Sequence, residues 1–137
     1  MKIPSLILFF ILIGTTAYAG WADGNRLNQS CTAIGRYDTG YCHGFISAAA
    51  TMAIESTYCE KTVNGEKTYA SVSREECENP LELAIPGNLQ LSQVLDVVLS
   101  YLNNNPGELH KPAELLVEQA LLKSFGLREP QKTIQVP

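Results

Sequence analysis

Four cysteines, Cys31, Cys42, Cys59 and Cys77, follow a leader that reads as a secretory signal peptide, and this pairing constrains the fold more than any other feature. Lys2 supplies a positive start, Leu6 to Ile13 an unbroken apolar run, and Ala17-Tyr18-Ala19 a small-x-small cleavage site ahead of Gly20. That apolar run is about half of the roughly twenty residues needed to span a bilayer. No cysteine follows the cut, which disfavours a lipid anchor. Export puts the cysteines where disulfides persist. Three pairings are possible. Closure between sequence neighbours favours Cys31 with Cys42 and Cys59 with Cys77, in loops of about 12 and 19 residues, each stabilising by about 3 kcal/mol on the chain-entropy estimate. Zinc, with His43 as a fifth ligand, is the alternative, but no C-x₂₋₄-C unit is present.

Cleavage after residue 19 leaves about 118 residues, enough for one domain that buries roughly two-thirds of its unfolded surface. The expected division is a signal peptide over 1–19, a folded domain over 20–128, and a loose tail over 129–137 with prolines at both ends. The chain carries 10 Lys and Arg against 14 Asp and Glu. An acidic balance argues against nucleic acid or an anionic membrane as partner, since both select basic patches. It is compatible with a basic protein partner, although a solvated acidic surface is the commoner explanation.

Between the second and third cysteines, Cys42, Phe45, Ile46, Ala49 and Ala53 recur at helical spacing. A central helix is expected from about Tyr41 to Tyr58, with Gly44, Ala48 and Ala49 keeping its packed face slim. Before it, residues 20–30 read as a short helix or turn capped by Asp23 and anchored by Trp21 and Leu27. Asn28-Gln29-Ser30 matches a glycosylation sequon, and residues 32–40 read as a turn. After it, residues 60–80 are polar, with a candidate hairpin in which Thr62-Val63 and Thr68-Tyr69 flank Asn64-Gly65. Ile85-Pro86-Gly87 then turns the chain into a second amphipathic helix bearing Leu91, Val94, Leu95, Val98, Leu99 and Leu102. Asn103-Asn104-Asn105-Pro106-Gly107 ends that helix. A last helix starts near Pro112, turns Leu116, Val117, Ala120, Leu121 and Phe125 inward, and stops at Gly126. The expected fold class is all-α, a disulfide-braced bundle of about four helices with room for a short β-hairpin in residues 60–78.

No nucleophile elbow, zinc-protease motif or phosphate loop occurs. Cys42 and His43 are adjacent, so on a helix their side chains diverge by about 100° and cannot form the hydrogen bond that activates a nucleophile. Glu75, Glu76 and Glu78 lack the alternating ligand spacing of a calcium loop. These readings imply no enzyme, no cofactor and no metal. Candidate contact residues lie in two polar segments, Tyr69, Glu75 and Glu76 in the first, and Asn103, Asn104, Asn105, Glu108 and His110 in the second.

The ordered pattern resembles the Rap/Tai immunity family. It runs from Cys31 through Cys42-x-Gly44-Phe45-Ile46-x-Ala48, then Pro86-x-x-Leu89-x-Leu91-x-Gln93-x-x-Asp96-Val97-Val98-x-x-Tyr101-Leu102. It continues with Asn105-Pro106, His110-x-Pro112-Ala113, Leu116-Val117 and Ala120-Leu121 ahead of Phe125. The resemblance implies an all-helical, disulfide-braced periplasmic protein of a Gram-negative bacterium, often a homodimer. Such a protein binds a peptidoglycan amidase delivered by type VI secretion and blocks its cleft. Many relatives carry cysteines where this chain has Ile85 and Gly126; both are missing together, as one lost bridge would require. The excursion between Cys59 and Cys77 is also longer than the family pattern. A small periplasmic acid-stress chaperone or another exported helical binding protein is the alternative; for a chaperone, two histidines and a disulfide-tied core leave a pH switch little to act on.

Overall fold

A computed structural model describes residues 22–130. The expected signal peptide, Trp21 and the tail from residue 131 lie outside the described residues. Among the described residues the four α-helices are α1 (Gly24–Thr32), α2 (Arg36–Glu55), α3 (Leu91–Asn104) and α4 (Ala113–Phe125). Two small antiparallel sheets accompany them, one pairing β1 (Thr57–Val63) with β2 (Glu66–Val72), the other β3 (Glu82–Leu83) with β4 (Leu127–Arg128). The class is therefore helices plus hairpin and not purely all-α, because β1, β2 and the β3–β4 clasp are true ladders.

The core lies where the four helices meet. Leu27 from α1, Ile46 from α2, Val98 and Leu102 from α3, and Leu116, Val117, Ala120 and Leu121 from α4 are all buried. The 3.6-residue periodicity of α3 and α4 produces those stripes directly. Leu91 departs from the expected face and is 45% exposed, since it is the first helical residue and lies a turn above the packed layer. Two side-chain caps hold the helix starts. Asp23 Oδ1 accepts from Arg26 N at 2.8 Å, and Gln90 and Gln93 form a reciprocal capping box at the start of α3. Backbone bonds from Gly24 N to Lys111 O and from Ala113 N to Ala22 O join the start of α1 to the start of α4.

The central helix is displaced from its expected limits by five residues at its start and three at its end. It begins at Arg36, because Gly35 supplies an extended N-cap residue and Asp38 places a carboxylate in the first turn. Gly40 lies inside it with open space around it. It ends at Glu55, since Thr57 and Tyr58 suit a strand. Tyr58 is fully buried all the same: its backbone pairs with Leu81 in both directions at 2.9 Å, and its hydroxyl donates to Ala53 O at 3.0 Å. Cys42, Ile46, Ala49 and Ala53 face the core as the spacing requires, with Phe45 half-buried. Gly44 and Ala48 do not; both are exposed, and nothing lies within 4 Å of a Cβ built on Gly44. The close approach is instead at Gly24, where a Cβ would strike Leu116 and the Leu109 backbone.

Cys31 pairs with Cys42 and Cys59 with Cys77. The first bridge ties α1 to α2. The second closes the base of the hairpin, which is longer than Thr62-Val63 against Thr68-Tyr69: pairing runs from Thr57 opposite Val72 to Val63 opposite Glu66. Asn64 and Gly65 form the two-residue turn with φ of 53° and 84°, the left-handed conformations that match the twist of the strands. The Asn28-Gln29-Ser30 sequon lies within α1, with Asn28 Oδ1 and Ser30 Oγ buried.

Candidate functional site

Along α3, Val94, Val98 and Leu102 point into the core, which leaves two flanking rows at i, i+4 and i+8 facing outward beside α4. Val97, Tyr101 and Asn105 form one row, and Asp96, Ser100 and Asn104 the other. With Lys123 and Ser124 from the last turn of α4, they line a surface cleft of about 490 Å³. The cleft is apolar at Val97 and the Tyr101 ring and polar around its edge.

Tyr101, Asn104 and Asn105 are held by internal hydrogen bonds before any partner arrives. Asn105 Nδ2 donates to Tyr101 O at 2.7 Å and Asn104 Nδ2 to Ser100 O at 2.8 Å, so both asparagine side chains fold back onto the last turn of α3. The Tyr101 hydroxyl lies 3.1 Å from Gln119 Oε1 and 3.4 Å from Glu108 Oε2, and its single proton serves one of them at a time. Lys111 Nζ donates to Glu108 Oε2 at 2.9 Å, and Lys123 Nζ sits 5.6 Å from the centre of the Tyr101 ring. Burial, followed by the neighbouring Glu108 charge, pushes the Tyr101 phenol above its usual range. The Lys111 hydrogen bond holds the Glu108 carboxyl below its own. Tyr101 is thus a standing donor and Glu108 a standing anion at neutral pH.

The sequence-predicted contacts divide. Asn104 and Asn105 line the cleft, Glu108 braces it through Tyr101, and Asn103 and His110 are exposed outside the lining. Tyr69, Glu75 and Glu76 are exposed on β2 and on the 3-10 turn Arg74–Glu76, and none lines the cleft. Sequence reasoning missed Tyr101, Lys111, Gln119 and Lys123 as a group. A tyrosine at the margin of an apolar stripe was the one available sign; its partners come from the crossing of α3 and α4.

Among the described residues, every cysteine is in a disulfide and no three metal-ligating side chains converge. Cys42 therefore offers His43 no thiol. What the cleft can do chemically is recognise: it presents an ammonium, hydroxyls and an aromatic edge on two rigid helices.

The model of the Rap1a immunity protein family matches residues 23–126, a span that begins at the α1 cap and ends at the α4 stop. This chain belongs to the Rap1a immunity protein family. No curated protein and no solved structure matches it. Membership makes it an immunity protein, one that binds a cognate effector. The matched span includes all four helices, both disulfides and every residue of the cleft. Among the described residues no helix is long and apolar enough to cross a membrane.

Proposed function

We propose that this Rap1a-family protein acts in the periplasm, where it binds a peptidoglycan amidase effector of type VI secretion and occludes its substrate cleft. The observation that carries this reading is the preorganised recognition surface at the α3–α4 end, within the family-matched span. Side chains already locked by internal hydrogen bonds lose little freedom on binding, which favours tight occlusion. The leader-like first nineteen residues and the two disulfides support an exported location. The hairpin adds a second exposed polar arm, with Tyr69 at 47% exposure, for discrimination among related effectors.

Affinity purification from periplasm, followed by mass spectrometry of retained proteins, tests the partner. An amidase retained at stoichiometric level and inhibited on isolated peptidoglycan is the expected result. Retention of an effector with other chemistry would replace the amidase, and hydrolysis of peptidoglycan by this protein alone would remove inhibition as its role.

A further inference from the structure

A second recess opens on the opposite edge of α4, where α4 meets α2 and the base of β2. Ala49 and Ala53 line it from α2 with Ser71 from β2, and Met52 and Leu115 stand at its rim, 72% and 36% exposed. Its volume of about 280 Å³ falls below the roughly 300–1,000 Å³ of sites for drug-sized ligands. That size suits one or two side chains of a protein segment.

The charged groups lining it are Glu114 and Glu118, with no cation among the lining residues. They stand at i and i+4 on α4, a spacing at which like charges repel and cost the helix a few tenths of a kcal/mol. Neither takes part in the ion pairs of the described residues, which join Lys67 to Glu60, Lys111 to Glu108 and Arg128 to Glu82. Glu118 also lies near the Tyr58 hydroxyl: burial first and this carboxylate second push that phenol above its usual range. A cation arriving between Glu114 and Glu118 relieves the repulsion between the two carboxylates. A second copy of this chain is poorly matched, since the chain carries a net charge of −4.

We propose that the α2–β2–α4 recess docks a basic segment of a partner protein, with an apolar side chain seated on Ala49 and Ala53 and an adjacent Lys or Arg between Glu114 and Glu118. The apolar anchor gives affinity and the carboxylates give sign selectivity. This surface is separate from the α3–α4 cleft and does not rest on the partner's being an amidase.

The test is NMR titration of the ¹⁵N-labelled protein with two capped peptides. One is Gly-Lys-Leu-Lys-Phe-Lys-Gly, and the other has each Lys replaced by Glu. The basic peptide is expected to shift amide signals of residues 49–53 and 114–118, while the acidic peptide leaves them in place. Glu114→Gln with Glu118→Gln should weaken the basic peptide about fivefold, the sum expected of two exposed charge pairs. Equal response to both peptides, no shift at millimolar peptide, or shifts confined to Glu75, Glu76 and Glu78 would each overturn the proposal. So would movement of the same signals with protein concentration alone, which would assign the recess to a second copy.

Discussion

Tyr58 joins three parts of the fold through one residue: its ring fills the core, its backbone pairs with Leu81, and its hydroxyl is bonded to the end of α2. Replacing it with Phe removes that hydroxyl and should cost about 1 kcal/mol near neutral pH. The folded-state pKa is raised, so the stabilisation from the protonated phenol is fully present below the ordinary tyrosine value of about 10 and is lost as pH rises above it. Chemical denaturation at several pH values should therefore show the stability gap between wild type and Tyr58→Phe narrowing above about pH 10. Two glycines provide a second test at this scale. At Gly24 a Cβ would meet Leu116 and the Leu109 backbone, so Gly24→Ala should destabilise by about 1–3 kcal/mol. At Gly44, exposed inside α2, Gly→Ala should stabilise by about 0.5–1 kcal/mol through helix propensity. Thermal melts followed by circular dichroism give the order, and a reversed order would mean that α2 is turned the other way.

The two disulfides brace elements of different kinds. Cys42 is buried on the central helix and its bridge fixes α1 against α2, whereas the Cys59–Cys77 bridge closes a hairpin whose outer residues touch little else. Loop entropy is similar for both, about 3 kcal/mol, so the difference should lie in what unfolds. Cys31→Ser with Cys42→Ser should lower the global melting temperature. Cys59→Ser with Cys77→Ser should mainly open residues 60–76 to limited proteolysis, with cleavage sites read by mass spectrometry. The faces of α3 and α4 were legible because long amphipathic stretches write their burial into a 3.6-residue period, as Val94, Val98, Leu116 and Leu121 show. The ends of α2 were not. Gly35, Asp38 and Gly40 carry turn chemistry that also serves a helix start, and Tyr58 is apolar enough for either element. The β3–β4 clasp escaped for another reason: two-residue strands have no period, and Glu82 meets Arg128 only after the helices have packed. In the candidate site, Asn104 and Asn105 were visible as helix-stop residues, while the grouping of Tyr101 with Lys123 depends on a helix crossing that no local pattern encodes.

At the scale of the molecule, the proposed α3–α4 interface is lined at its edge by exposed side chains such as Ser100 and Lys123 that take no part in the core, and binding should be separable from folding. Deleting the Asn103–Asn105 turn would not separate them, because Asn105 caps the Tyr101 carbonyl. Substitution at Ser100 would. Ser100 is exposed, lines the cleft and lies within α3, and Arg there is a better helix former that also fills the space a partner must occupy. Ser100→Arg should leave the melting temperature unchanged or slightly raised while weakening effector binding about tenfold or more, chiefly through faster dissociation, as blocking a central contact does. Lys123→Glu should add to the loss. Charge reversal at Glu75 and Glu76, which lie away from the cleft, should instead change the association rate and its salt dependence with little effect on dissociation. Surface-bound effector and a protection assay on isolated peptidoglycan read both. If Ser100→Arg with Lys123→Glu binds and protects as wild type does, the α3–α4 cleft is not the interface, and if the Glu75 and Glu76 reversals alone abolish protection, the hairpin arm takes its place.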